Sequence, residues 1–536
     1  MLISCSQTKI NISGFQKFEN NISVFAKGLI MFDNKIYIDN EIIKLFSFNI
    51  FSDINKIENL IPELSGNFIL CVFDGTNLLI ANDRWGCYPL YYIRINENIY
   101  YSDSWENIIK YSTKKISSDN LIEYISLGHV FNSKTLIEDI FEIKPHTIIK
   151  HSDEGKLLTE IKSYWKLVHL FKSVNVSSKE KEFVDLWNSQ IDIYGKYLEQ
   201  KATKCFIPVT GGLDSRLLVT SFNKYDVQIR TATWGADESF YEIENAKTVV
   251  AKMNKVISYD TVILDENYVL NLFKSDTKFN YLTTARIGNE AYYLEQNFPD
   301  TQFIIPGFSG DFMAGSHLKY KMKSWKSKND IVDYICKFKI SDISKYLMTI
   351  DLDFNNNLRT LISDSIENDN DIISAFIRWD VEERQRQYIV RAGNFFSETR
   401  QLIPFFDYKL MDFFLELPFE ELVNTKLYIN SQKKYFYKNN PEIFKIKREN
   451  SSPKIIINSY LYEYSQKIKQ IINSKKGEYK KIRYQLWSPE IDWKIFWNEV
   501  ELPDFFKKYN LESKFTGSYA LFFLYYEKLK RAVSNY

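Results

Sequence analysis

Residues 205–220 read Cys-Phe-Ile-Pro-Val-Thr-Gly-Gly-Leu-Asp-Ser-Arg-Leu-Leu-Val-Thr. The apolar residues that end at Val209 predict a buried strand, and the apolar run that follows Ser215 predicts a helix. The glycine turn between them would bring backbone N–H groups to the start of that helix, where the helix dipole favours negative charge. The stretch therefore predicts an anion-binding turn between a strand and a helix.

The side chains of this turn suit a phosphate and a metal ion. Thr210 and Ser215 would add hydroxyl donors to the backbone N–H groups of Gly211 and Gly212. A carboxylate such as Asp214 suits this place if it holds a metal ion that bridges to the phosphates. The spacing differs from the GxxxxGK[ST] pattern of a Walker loop. The alternative interpretation is an ordinary tight turn with a capped helix.

Strands and helices alternate around this turn. The pattern predicts helices at 183–200 and 242–253, and further strands at 229–234, 256–258 and 303–305. Such alternation is typical of a parallel sheet with helical crossovers. Beyond about residue 320 the chain is predicted to be mostly amphipathic helix.

The first 165 residues follow a different pattern. Short apolar runs at 68–73, 78–81, 90–93 and 99–102 are separated by turn signals, which predicts an antiparallel, hairpin-rich domain. A polar stretch near 173–182 predicts a linker. We therefore divide the chain into a first domain at 1–165, a linker at 166–182 and a second domain at 183–536.

Composition excludes several classes of protein. The net charge of +1 is mixed along the 536 residues, so nothing requires nucleic acid or an anionic membrane as partner. No apolar run is long enough to predict membrane insertion. The five cysteines are scattered without a CxxC pair, which argues against a zinc site or a disulfide framework and favours the cytoplasm.

Two motif clusters resemble the asparagine synthetase family. The turn at 210–215 resembles the SGGxDS pyrophosphate loop of ATP pyrophosphatases, with Thr210 in place of the first serine. Residues 64–74, 81–92 and 101–104 resemble the glutaminase domain of glutamine amidotransferases, including its D-R-x-G-x-x-P-L-Y-Y run. The resemblance implies an α+β sandwich of the Ntn-hydrolase type followed by an α/β ATP-pyrophosphatase domain with a helical C-terminal region.

The first domain departs from a working glutaminase. The family starts Met-Cys-Gly-Ile and uses the exposed cysteine as nucleophile, whereas Leu2 stands here and Cys5 is out of register. The aspartate that would hold the glutamine amine is replaced by Ser65. We therefore expect no glutaminase activity, as in the β-lactam synthetases and lasso peptide cyclases that the chain resembles. The Asp83-Arg84 pair is interpreted as a structural ion pair.

The resemblance implies further ligands for ATP. The edge around Thr231 and Thr233 would carry the adenine through backbone groups, and Arg216 follows the pyrophosphate loop. Glu242 matches the usual position of an aspartate, but a first-turn acid that complements the helix dipole is the stronger interpretation. Residues 304–315 resemble a second glycine loop, in which Gly310 would contact the nucleotide and Asp311 would hold Mg²⁺ together with Asp214.

Three more residues are implied as catalytic. Glu398 is matched to the family's carboxylate, although counting back from Pro404 places Arg400 at that position. Tyr388 is the candidate base that this carboxylate would support. Lys447 is chosen as the late-loop lysine that stabilises charge during acyl transfer, with Lys454 second.

Together these features predict an AMP-forming ligase. ATP with Mg²⁺ would adenylate a small-molecule or peptide carboxylate, and an amine donor would displace AMP. The sequence leaves two candidates for the acid substrate, a cell-surface sugar acid and a ribosomally made peptide that is cyclised. Asparagine synthetase with free ammonia is one alternative, and a non-catalytic binding or scaffold protein is another. A homodimer or a partner protein from a biosynthetic cluster is compatible with the sequence.

Overall fold

The computed structural model describes most of the chain. The described residues are 1–6, 9–17, 22–47, 53–153, 157–274, 289–307, 310–369, 371–390, 400–438, 440–446, 454, 456–475, 488, 490–498, 502–509, 511 and 520–534.

Seventeen strands are present within these ranges. They are β1 (Leu2–Ser6), β2 (Lys9–Ser13), β3 (Gln16–Lys17), β4 (Ser23–Phe32), β5 (Lys35–Ile38), β6 (Ser65–Phe73), β7 (Asn77–Asn82), β8 (Tyr91–Ile95), β9 (Asn98–Ser102), β10 (Phe141–Glu142), β11 (Thr147–Asp153), β12 (Leu157–Ser163), β13 (Lys204–Phe206), β14 (Gln228–Gly235), β15 (Val256–Ile263), β16 (Phe303–Ile304) and β17 (Arg400–Gln401).

The α-helices of the described chain are α1 (Ile54–Leu60), α2 (Trp105–Ile108), α3 (Ser118–Leu127), α4 (Val176–Lys201), α5 (Leu213–Phe222), α6 (Tyr241–Val250), α7 (Glu266–Lys274), α8 (Asn289–Asn297), α9 (Gly310–Met313), α10 (Lys328–Phe338), α11 (Asp342–Ile350), α12 (Leu352–Ser365), α13 (Ile372–Arg378), α14 (Tyr408–Glu416), α15 (Phe419–Leu422), α16 (Lys426–Ser431), α17 (Pro441–Lys445), α18 (Ser459–Lys475), α19 (Trp493–Asn498), α20 (Asp504–Lys507) and α21 (Ala520–Ser534). Two π-helical segments cover Trp379–Val390 and Gln432–Phe436.

The N-terminal region is a sandwich of two antiparallel sheets. One sheet has the order β10-β8-β9-β1-β2, and the other has the order β12-β11-β7-β6-β4-β3 with β5 paired to β4. Residues on β6 alternate between two cores: Ile69 and Cys71 pack toward the first sheet, and Leu70 and Val72 pack under α1. The predicted hairpin-rich region is confirmed.

A third sheet is parallel throughout. Its order is β15-β14-β13-β16-β17. Phe206 and Ile304 pack with α8 on one face, while Cys205 and Phe303 belong to the large core on the other face. The predicted parallel sheet is confirmed. Its outermost strand, β17, was not predicted, because a two-residue strand leaves no periodic signal in the sequence.

The predicted linker is partly wrong. Helix α4 begins at Val176, inside the stretch interpreted as a linker, and Asn175 caps it by accepting a hydrogen bond from the Ser178 N–H at 3.1 Å. The polar residues of that stretch are largely the solvent-facing first turns of this helix, which explains the error. The predicted helical character beyond residue 320 is confirmed in the described ranges.

Within the described ranges, every helix is either too short or too polar to span a bilayer.

Candidate active site

The first glycine loop has the predicted strand-turn-helix form. After β13, the N–H groups of Ile207 and Val209 still donate to carbonyls of β14, at 2.9 and 3.1 Å. Gly211 then turns the chain with φ 71°, and a Cβ there would lie 2.5 Å from the Asn245 Cβ. This position therefore requires glycine, both for its backbone conformation and for its close contact with α6.

The two hydroxyl groups of this loop lie together. The Ser215 Oγ accepts a hydrogen bond from the Thr210 N–H at 3.2 Å and lies 3.4 Å from the Thr210 Oγ1. The Thr210 Oγ1 in turn accepts from the Gly212 N–H at 3.3 Å. Hydroxyl and N–H donors thus converge at the N-terminus of α5, an arrangement that suits a phosphate.

The second glycine loop packs directly on the first. A Cβ on Gly307 would lie 2.9 Å from the Ser215 backbone nitrogen. A Cβ on Gly310 would lie 2.6 Å from the Phe405 ring and 2.9 Å from Asp214 Oδ1. The absence of side chains at both glycines therefore lets the backbone before Asp311 approach Asp214.

A buried tyrosine is hydrogen-bonded to Asp214. The Tyr428 hydroxyl donates a hydrogen bond to Asp214 Oδ1 at 2.5 Å. Burial raises the pKa of Tyr428 well above its usual value, and the negative charges of Asp214 and Asp311 act in the same direction. Tyr428 is therefore a neutral donor, and both predicted metal ligands lie within electrostatic range of it.

The backbone before α16 is strained where it positions Tyr428. Asn424 and Thr425 have φ values of 60° and 56°, a region that non-glycine residues rarely adopt. The Asn424 side chain stabilises this turn by donating to Glu463 Oε1 at 3.2 Å. Nothing in the sequence indicated Tyr428, which is one of 36 tyrosines and lies far along the chain from Asp214.

Asp214 and Asp311 have the side-chain chemistry that Mg²⁺ takes together with phosphate oxygens. In the described part of the chain no group of three or more His, Cys, Asp or Glu side chains is arranged to hold a metal. Mg²⁺ is usually held by one or two carboxylates, with substrate phosphates and water as its remaining ligands. Asp214 and Asp311 would supply such a pair. The Gly310 contact leaves room for no larger residue between the second loop and Asp214.

The threonines predicted at the adenine edge point into the protein. Thr231 Oγ1 donates to the Ser258 carbonyl at 3.2 Å, and Thr233 Oγ1 donates to the Val209 carbonyl. Both residues are fully buried. Their hydroxyl groups therefore stabilise the sheet, so any contact with adenine would have to use backbone atoms.

The Arg216 side chain is surrounded by backbone carbonyl groups. Its guanidinium group is fully buried and donates to the carbonyls of Gly211, Ile443, Phe444 and Ile446. Arg216 therefore connects the first glycine loop to the end of α17. This arrangement favours a positioning role over direct contact with phosphate.

Glu242 lies in the first turn of α6, where an acid complements the helix dipole. Its carboxylate accepts a hydrogen bond from the Tyr241 hydroxyl at 3.2 Å.

Glu398, Lys447 and the side chain of Tyr388 lie outside the described residues, and Lys454 is exposed. Arg400, which occupies the expected carboxylate position, lies on β17 and forms an ion pair with Asp39 of the N-terminal sandwich. Arg400 therefore links the two regions of the chain.

The Asp83-Arg84 corner attaches the sandwich to the second region. The predicted ion pair between Asp83 and Arg84 is wrong. The Asp83 carboxylate instead accepts hydrogen bonds from three backbone N–H groups at 2.8–3.1 Å, and burial raises its pKa to about 6. Arg84 instead forms an ion pair with Asp412 at 2.9 Å. Trp85 stacks on Phe406 at 4.0 Å and contacts Phe312 of the second glycine loop edge-on at 5.9 Å.

The N-terminal sandwich offers no reactive thiol. All five cysteines are described and buried. Burial raises the pKa of Cys5 to about 12, so its thiol is protonated at neutral pH. Ser65, at the position of the missing aspartate, lies 3.4 Å from Asp407 of the second region.

Comparison with known proteins gives one match to a domain family and one match to an enzyme. Residues 51–165 match the glutamine amidotransferase domain family. The chain is 23% identical over 268 residues to asparagine synthetase [glutamine-hydrolyzing] 1 of Bacillus subtilis (strain 168), a match that covers 46% of this chain and 40% of that enzyme. The chain thus matches less than half the length of this relative.

Two solved structures are similar over part of the chain. Glutamine phosphoribosylpyrophosphate amidotransferase from B. subtilis, complexed with ADP and GMP, is 10% identical and aligns with 50% of this chain and 75% of its own, at a TM-score of 0.19. The allosteric regulatory enzyme of purine biosynthesis is 9% identical and aligns with 46% and 62%, also at 0.19. Such scores are too low to define the fold. The sequence matches thus show that the chain is similar to an asparagine synthetase over part of its length and that its N-terminal region matches the glutamine amidotransferase domain family.

Proposed function

We propose that this chain is an ATP-dependent, AMP-forming amide ligase without glutaminase activity. The observation that carries the proposal is the pair of interlocked glycine loops, which place Asp214 beside the backbone of Gly310 and gather donors at the start of α5. An ATP-pyrophosphatase domain built on the parallel sheet would use the carboxyl ends of its strands in this way.

The reaction would proceed in two steps. An oxygen of the acid substrate attacks the α-phosphorus of ATP, and the bond to the β-phosphate oxygen breaks, so that pyrophosphate leaves. The amine nitrogen then attacks the acyl carbon, the acyl–oxygen bond to AMP breaks, and the amine loses a proton. Mg²⁺, when bound, would offset the charge of the triphosphate.

The chain's own residues would act on the phosphates. The N–H groups of Gly211 and Gly212 and the hydroxyl groups of Thr210 and Ser215 would bind the departing pyrophosphate, since preorganised donors stabilise charge that develops during the reaction. Asp214 and Asp311 would hold the metal ion. Tyr428 would orient the Asp214 carboxylate through its hydrogen bond.

The experiment is a product analysis. The full chain is incubated with Mg·ATP, a panel of amino acids and uronic acids, and hydroxylamine as a general amine. We expect AMP and pyrophosphate in equal amounts with the acids that are accepted. ADP and orthophosphate as main products would contradict the proposal. The non-catalytic alternative predicts that no acid in the panel stimulates nucleotide cleavage.

A further inference from the structure

Four lysines gather beside the second glycine loop. Lys319 and Lys321 lie on the segment that follows α9, while Lys337 and Lys339 lie at the end of α10. We refer to these four residues as the lysine cluster. A lysine at the end of a helix complements its dipole, but this explains only the two residues of α10, because the other two come from a separate segment.

Two aromatic rings bring the ammonium groups together. The Lys321 Nζ lies 5.3 Å from the Tyr334 ring centroid and 4.6 Å from that of Phe338. The Nζ atoms of Lys337 and Lys339 lie 5.3 Å from Phe338 and 5.9 Å from Tyr334, respectively. Because the two ring centroids are 5.0 Å apart, three positive charges share one small surface.

No described carboxylate forms a close ion pair with these lysines. No ion pair within 4 Å joins any of the four lysines to a described acid, although neighbouring Lys323 is paired with Glu420. Lys319 Nζ donates a hydrogen bond to the Ser316 carbonyl at 3.2 Å. At longer range Glu463 acts electrostatically on Lys319 and Lys321, and Asp380 acts on Lys339. Because these acids act from beyond ion-pair distance, the like charges still repel one another, and a ligand with negative groups would relieve that repulsion.

The lysine cluster leads from solvent toward the candidate active site. Lys321 and Lys337 are exposed, whereas Lys319 and Lys339 are half-buried. The negative charge of Asp311 acts on both of the half-buried lysines. A ligand with several negative groups could therefore rest on the exposed lysines and extend one group toward the second glycine loop.

We propose that the lysine cluster binds the acid substrate and that this substrate carries clustered carboxylates. Its identification as the substrate rests on the proposed function, whereas the binding of a polycarboxylate does not. Ammonium groups act as point charges that accept carboxylates in many orientations. The carboxylates belong either to a small free polyacid or to acidic residues of a peptide.

The test is calorimetric titration of the full chain at low ionic strength, without nucleotide. The probes are tricarballylate, a tetraglutamate peptide and inorganic tripolyphosphate. We expect a carboxylate probe to bind, and the K321Q/K339Q double variant to bind it at least about 10-fold more weakly, since two of the positive charges are lost. K323Q is the matched control, because Lys323 lies in the same segment but is paired with Glu420; its affinity should be unchanged.

The probes separate the possible sources. Binding of tricarballylate supports a small polyacid, and binding of the peptide alone supports an acidic peptide. The proposal is overturned if neither carboxylate binds, if the double variant binds as well as the wild type, or if tripolyphosphate alone binds. Parallel loss of Mg·ATP binding in the double variant would also overturn it, because the lysine cluster would then serve the nucleotide. Normal polycarboxylate binding without AMP formation would reject only the proposed function.

Discussion

Tyr428 and Asp214 form a hydrogen bond of 2.5 Å between residues that are 214 positions apart in the chain. The donor is buried and neutral, and the acceptor lies in the first turn of α5, the helix that follows the first glycine loop. This bond fixes one oxygen of a carboxylate that is proposed to hold Mg²⁺. Partners of this kind commonly orient metal ligands.

Replacing Tyr428 by Phe should weaken the binding of Mg·ATP by about 10-fold or more, because the carboxylate loses its orienting donor. Calorimetric titration with Mg·ATP measures this effect. Y437F is the matched control: Tyr437 is also buried, but its hydroxyl lies 3.5 Å from Thr220. Equal affinities for Y428F and the wild type would show that the hydrogen bond does not position a metal ligand.

The Asp214→Asn and Asp311→Asn variants should each lose at least about 100-fold in turnover without unfolding. Asparagine keeps the shape and one acceptor oxygen but removes the charge that would hold Mg²⁺. Rates of pyrophosphate release and the Mg²⁺ dependence of ATP binding test this expectation, with thermal unfolding to verify the fold. Near-normal turnover at limiting Mg²⁺ in either variant would remove that aspartate from the metal site.

Glutamine should not be hydrolysed. The sandwich has Leu2 and Ser65 at the positions of the nucleophile and the amine ligand, and burial raises the pKa of the Cys5 thiol to about 12. The measurement is release of glutamate from glutamine, with C5A as control. Release that disappears in C5A would show that Cys5 acts as a nucleophile despite its burial.

Trp85 should couple the sandwich to the second glycine loop. Trp85→Ala would lower the free energy of unfolding by about 3–5 kcal/mol, as expected for removal of a buried tryptophan, and would weaken Mg·ATP binding through the lost contact with Phe312. Trp85→Phe, which keeps an aromatic ring against Phe406, should retain most of both properties. Unchanged nucleotide affinity in a folded W85A protein would argue against this coupling.

Binding of a polycarboxylate should decline as the pH rises through about 8. Burial lowers the pKa of Lys339 to about 8, opposed by Asp380 and Asp311 and reinforced by Arg384 and Lys319. The pKa of Lys339 in the folded protein lies below its unfolded value of 10.5, so between these two values the folded state binds fewer protons than the unfolded state. The contribution of Lys339 to the free energy of unfolding therefore becomes more favourable as the pH rises from about 8.

Affinity and stability should therefore change in opposite directions with pH. Titrations with the tetraglutamate peptide between pH 7 and pH 9.5 measure the first, and chemical denaturation measures the second. In K339R the guanidinium group stays charged, so the decline in affinity should largely disappear. A decline that persists unchanged in K339R would assign the titration to another group.

Local pattern was sufficient for much of the fold. The run 205–220 predicted a strand, a glycine turn and a helix, and the structure has all three. Short apolar runs at 68–73 and 78–81 predicted β6 and β7, and both faces of these strands are buried in the structure. The start of α4 was placed too late, because exposed polar residues occur both in linkers and on the solvent face of a helix.

Amino-acid sequence alone therefore determined the glycine loops, the antiparallel and parallel regions and the missing glutaminase residues, since these depend on short-range spacing and residue type. Only the tertiary structure decided which groups meet. It brought Tyr428 to Asp214 and directed Arg216 to the backbone carbonyls around the end of α17. It also paired Arg84 with Asp412 in place of Asp83 and assembled the lysine cluster. These contacts join residues from distant helices and loops, and their geometry depends on packing of the whole core, which leaves no periodic signal in the chain.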